Sequence, residues 1–184
     1  QPRPEQFHAV GEWRGEPNDT LIDYLHGQPV IQRLIPSEVD KREPVPLALQ
    51  QNSVDSPSAV ALMIRRVQET GRCEASVHTF DGRRASEISA HTVDQEVLEP
   101  SNLSMFTGQA LRCDFIGQMQ AGFLHVDDTP ADRKPLHGSA WLATLVPGAP
   151  PLPVRLDFQT RWFGPARMYL TRLQPAVSTE VAVH

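Results

Sequence analysis

Cysteine is scarce in this chain, with two in 184 residues, and so are the patterns that usually announce a chemistry. There is no CxxC redox pair and no Cys/His spacing suited to zinc. No GxSxG nucleophile elbow, phosphate loop, dinucleotide fingerprint or HExxH helix occurs. An excess of basic charge is also missing: the formal net charge is -5, which argues against nucleic acid as a partner. No apolar run approaches the ~18 residues of a membrane helix, so no transmembrane segment is expected. The opening "QPRPEQ" has no initiator Met and no apolar leader, and is read as a mature start or a fragment. No cofactor and no metal is expected.

What the chain does have is proline, 17 residues of it, mostly between apolar segments, which points to short strands and stiff loops. Its length suits a single domain, 1–184, able to bury a core. "DTLIDYLHGQPVIQRLIP" reads as two strands, Leu21 to Leu25 and Val30 to Ile35, around a turn where Gly27 takes positive φ at low cost. "SPSAVALMIRRVQETG" is the one convincing helix, about 56–70. Ser56 is placed to cap it, Pro57 suits the first helical position and Gly71 closes it. Val60, Met63, Ile64 and Val67 give it an apolar face.

The next segment, "GRCEASVHTFDGRRASEIS", holds a hairpin signal at Asp81-Gly82. With Phe80 opposite Arg83, the residues Cys73, Ala75 and Val77 share a face with Ile88 and Ala90, and pleating aims Cys73 inward. "EVLEPS", "QALRCDFIG", "SAWLATLVP" and "ARMYLTRL" add strands. "VRLDFQTRW" alternates Val154, Leu156, Phe158, Thr160 and Trp162 with Arg155, Asp157, Gln159 and Arg161, the pattern of a half-buried antiparallel strand. The expected fold is mainly β: a curved antiparallel sheet wrapped around one helix.

Candidate sites are few. "HVDDTPADRKPLH" gathers His125, Asp127, Asp128, Asp132 and His137, but at no standard metal spacing, and a solvated loop is the simpler reading. Arg83 and Arg84 suit a phosphate or carboxylate, against ordinary solvation at a turn. Trp13, Trp141, Trp162, Phe158 and Met168 would line an apolar pocket, or simply fill a core. The two cysteines on their own leave open a reduced buried pair or a bridge.

Taken in order, "LIDYLHGQPV", "KREPVPLALQ", "DSPSAVALMIRRVQETGRC", "TFDGRR", "FTGQALRC", "AGF" and "PVRLDFQTRWFGPARMYLT" resemble the domain of unknown function 3108 family, envelope proteins of proteobacteria. The likeness runs over about 6–173, leaving 174–184 as a C-terminal tail. It implies periplasmic localisation and an open barrel or β-spiral related to envelope integrity protein B and to lipoprotein carriers. It also implies strands ahead of this chain's start, and no catalytic residue. Cysteines at both matching positions imply a Cys73–Cys113 disulfide across adjacent strands, and closing a loop of about 40 residues would contribute about 4 kcal/mol.

The function expected is therefore non-enzymatic: a periplasmic protein-binding scaffold or accessory subunit, with an envelope protein or membrane complex as partner. The alternative is a carrier holding a lipid or lipoprotein acyl chain in an apolar cavity. Partner contacts are expected at an uncovered strand edge, from the segment Gln6–Trp13 or from the tail. In that tail Val177, Thr179, Val181 and Val183 alternate with polar or small residues in strand fashion.

Overall fold

A computed structural model describes residues 4–13, 15–37, 41–104, 106–125, 133–160 and 164–174. Its nine strands are β1 Gln6–Trp13, β2 Glu16–Leu25, β3 Gln28–Ile35, β4 Ala75–Phe80, β5 Ala85–Leu98, β6 Gly108–Ala121, β7 Leu136–Ala143, β8 Leu152–Thr160 and β9 Gly164–Tyr169. Between β3 and β4 lie a single turn, α1 Leu47–Gln50, and the helix α2 Ser56–Thr70. Every strand pairs antiparallel with its sequence neighbour, giving a three-stranded sheet β1-β2-β3 and a six-stranded sheet β4 to β9. The larger sheet is open, since β4 and β9 form its two edges. The fold is mainly β, as expected. Among the described residues no helix is long and apolar enough to cross a membrane.

Local chemistry explains the elements and corrects three expectations. The cap of α2 is Asp55, not Ser56. Its carboxylate accepts from the Ser58 N–H at 2.8 Å and the Ser58 hydroxyl at 2.7 Å, which satisfies an N-terminal donor and moves Pro57 one place into the first turn. Gly71 does close the helix, in the left-handed conformation. Second, the buried stripe of α2 runs through Ala59 and Val67, four-residue spacing with Met63 between them, while Val60 is 50% exposed. Met63, Ile64 and Val67 keep the expected face, and Ala59 takes the place expected of Val60. Third, Phe80 pairs with Ala85 rather than Arg83. The Asp81 carboxylate accepts from the backbone N–H groups of Arg83 and Arg84, so the turn widens into a loop of Asp81 to Arg84. The shift is two residues, so every side chain keeps its face.

Three apolar clusters form the core. Val67 of α2 packs with Cys73, Leu111, Cys113 and Leu142 on one face of the large sheet. Ala110, Trp141, Ala143 and Val154 pack beneath Leu98, Phe106, Leu145 and Leu170 in a second cluster. Leu111 and Leu142 alternate with Ala110 and Trp141 along β6 and β7, so these clusters occupy opposite faces. The third joins Ile22 and Tyr24 of β2 to Phe80, and so seats the small sheet on the end of β4.

Candidate functional site

The cysteines are joined: Cys73 and Cys113 form a disulfide with their Cα atoms 5.8 Å apart. The bridge does not link neighbouring strands. Cys73 lies ahead of β4 and Cys113 on β6, and Thr92 of β5 stands between them, pairing with Cys113 and accepting from the Cys73 N–H at 2.9 Å. The bridge therefore ties the exit of α2 over β5 to the middle of the large sheet, beneath the cluster around Val67.

The side chains expected to meet a ligand or partner are mostly occupied within the fold. Trp141 is 4% exposed. Its indole N–H donates to Glu96 at 2.7 Å, and the guanidinium groups of Arg155 and Arg112 lie 4.1 and 5.4 Å from its ring centre. Hydrogen bonds from Trp141 and then Arg112 hold the Glu96 carboxyl below its ordinary range. Trp141 is thus a core side chain with a satisfied polar tip. Phe158 is half-buried, in a row with Phe115, Gly138 and Ala166 across the strands. The polar side of β8 is also partly covered, because Arg155 and Arg167 both clasp Asp157. Burial raises the Asp157 pKa, and the two arginines outweigh it to leave a net lowering.

Arg83 is a strut between the sheets. It donates to the Thr20 hydroxyl at 2.9 Å and to the carbonyls of Ile35 and Pro36 at 2.9 and 2.8 Å. Gly122 makes room for it, since a Cβ there would run into the Arg83 backbone. Arg84 pairs with Asp81 at 2.8 Å. Neither arginine is aimed at an outside anion. Met168 is exposed on β9. Trp162, Asp127, Asp128, Asp132, Val177, Val181 and Val183, with the whole of 175–184, lie outside the described residues. Among the described residues no three His, Cys, Asp or Glu side chains gather in a metal-binding group. Gln6–Trp13 does run along a strand, as β1 at the edge of the small sheet.

Two hollows remain. One, about 520 Å³, crosses β6 to β9 beside Asp114, Ser139, Asp157 and Arg167. Ser139 donates to Asp114 at 2.6 Å, and Asp114 also accepts from Arg112. His91 and His137 line the same hollow, and neither is hydrogen-bonded to that serine among the described residues.

The second hollow, about 580 Å³, is a half-open trough between α2 and the free edge of β4, closed at one end by Val54 and Tyr24. Val54 occupies part of that edge: its N–H donates to the His78 carbonyl and its carbonyl accepts from the Phe80 N–H, both at 3.0 Å. These bonds show that the peptide groups of His78 and Phe80 face away from β5. By strand alternation those of Ser76 do too, while Ala75, Val77 and Thr79 bond to β5. Among the described residues, the N–H groups of Ser76 and His78 and the Ser76 carbonyl have no backbone partner. Along the helical wall Arg65 pairs with Glu69 at 2.6 Å, and at the trough's end Arg72 grips Glu74. The Arg72 hydrogen bond is the main reason that the Glu74 pKa falls to about 2. Arg66 also lines the trough, and its guanidinium meets no hydrogen-bond partner among the described residues. Sequence reading missed this site, because nothing in "EASVHTF" distinguishes an edge strand from an interior one. The abrupt helix-to-strand junction at Gly71–Glu74 was the only available hint. No family model, curated protein or solved structure matches this chain.

Proposed function

We propose that this protein is a non-enzymatic binding module of the periplasmic cell envelope, a scaffold or accessory subunit that takes another protein as its partner. The open, helix-walled edge of β4 carries this reading, because main-chain donors and acceptors left without a backbone partner among the described residues, beside a wall of Leu62, Arg65, Arg66 and Glu69, are what an incoming chain needs. The disulfide supports an oxidising compartment. The periplasm and membership of the domain of unknown function 3108 family rest on the ordered motifs of the sequence. Against the carrier alternative, Trp141 is packed between arginines and core residues, and both hollows are half-open troughs.

The test uses the protein purified without reductant. Immobilised, it should retain a reproducible envelope protein saturably, and lose it when denatured. Saturable uptake of an apolar fluorescent fatty acid, with energy transfer from the tryptophans and no protein retained, would overturn the proposal in favour of the carrier.

A further inference from the structure

We infer that the β4–α2 trough binds an extended, carboxylate-bearing peptide segment of a partner protein as an added parallel strand. This rests on the protein-binding reading above and specifies where and how the partner docks. Val54 sets the direction: it already forms a one-residue parallel bridge to Thr79. A segment following the same track places one residue opposite Val77, where its N–H meets the Ser76 carbonyl and its carbonyl meets the His78 N–H. The residue two positions earlier lies opposite Ala75, where its carbonyl meets the Ser76 N–H. Parallel ladders require this alternation.

Val54 fills the next position along the edge, so the docked strand must end or turn outward after the residue opposite Val77. The trough is therefore short, and suits a chain terminus or a bend better than a long strand. Leu62, Ala75 and Val77 offer an apolar lining. Four residues, Gly71 to Glu74, connect the end of α2 to β4, so the last turns of the helix stand beside the Ala75 end. Arg66 is there, and a planar guanidinium suits a carboxylate. Arg65 and Arg72 hydrogen-bond Glu69 and Glu74, and Arg66, which acts on Glu69 only through space, has its hydrogen-bond donors to offer the incoming acid.

The experiment selects peptides from a random heptapeptide library on the intact oxidised protein and measures amide exchange with and without them. Binding should slow exchange at Ser76 and His78 at least tenfold and leave Ala75 and Val77, already bonded to β5, unchanged. Methylating the peptide nitrogen that faces Ser76 should abolish binding, whereas methylating its neighbour should not. Arg66→Gln, at an exposed position, should weaken acidic peptides about tenfold, the size of one lost charge-assisted bond, and spare neutral ones. Slow exchange at Ser76 and His78 before any peptide is added would mean that the chain or a second copy already covers the edge, and would overturn the inference. Selected peptides that bind without protecting these amides, or bind as helices, would also overturn it. If envelope protein is retained by the immobilised protein while Ser76 and His78 stay unprotected, the binding function stands and this site is wrong.

Discussion

The six-stranded sheet buries apolar side chains on both faces, whereas the three-stranded sheet buries only one. In the large sheet, Leu111, Cys113 and Leu142 lie under α2 on one side, and Ala110, Trp141 and Ala143 under loops on the other. In β2 only the alternate residues Thr20, Ile22 and Tyr24 are buried. The outward face of that sheet leaves Val10 72% exposed, with Leu25, Val30 and Ile35 also open to solvent, around an Asp19 carboxylate held by His8 and Arg33. The small sheet is attached through the Ile22–Tyr24–Phe80 cluster, the Arg83 donors to Thr20, Ile35 and Pro36, and the Asn52 N–H that donates to the Gly27 carbonyl. One sheet supports itself, and the other depends on it.

The sharpest way to break this asymmetry is to remove the bridge. A Cys73→Ala/Cys113→Ala variant should lose about 4 kcal/mol, on the chain-entropy model for a loop of this length. Denaturant unfolding followed by hydrogen exchange should show both sheets losing protection together. If β1–β3 kept its protection while β6 lost it, the small sheet would be independent and the comparison would fail.

A smaller effect is expected at the strut. Arg83→Met keeps most of the aliphatic stem but removes the donors that hold Thr20, Ile35 and Pro36, at a cost of about 2 kcal/mol. Here the loss should be local: faster exchange in β2 and β3, with β6 and β7 unchanged. Equal loss in both sheets would show that Arg83 supports the whole fold rather than the joint.

Acid should produce the mildest change, again unequal between the sheets. Hydrogen bonds from Arg33 are the main cause of the lowered Asp19 pKa in the small sheet, and Glu96 and Asp157 are lowered in the large one. A carboxyl depressed by folding stabilises the native state above its unfolded pKa, and that contribution is lost as pH falls through the folded value. Stability should therefore decline below the ordinary carboxylate values of 3.8 and 4.5, more in the large sheet. Two of these carboxyls lie in the large sheet against one in the small, and salt screens all three pairings. Thermal unfolding between pH 5 and 2 at low and high salt, read by signals from each sheet, checks the order.

Much of the strand content was legible in the sequence because alternation and turn residues are local. "VRLDFQT" lies in β8 and the "SAWLA" of "SAWLATLVP" in β7, which starts three residues earlier, at Leu136, and the turn at His26-Gly27 lies where glycine predicted it. The candidate site was not legible, for a physical reason. Alternation reports that one side of a strand is apolar, not which cover it meets, so Trp141 read equally well as pocket lining and as core. Arg83 and Arg84 differ by one position and look alike in sequence, yet pleating and the Asp81 loop send one to the other sheet and keep the other on its own turn.

The sequence by itself determined the class of structure: short antiparallel strands, one capped helix closed at Gly71, and a Cys73 that faces inward. Each follows from backbone preferences and side-chain periods acting over a few residues. Tertiary structure decided the rest, because it depends on which segments meet. It buried Ala59 of α2 in place of Val60, carried the Cys73–Cys113 bridge past β5, and stopped Val54 after a single bridge along β4. The open edge beyond Val54 exists only because the chain turns away there, a long-range outcome that no local pattern encodes.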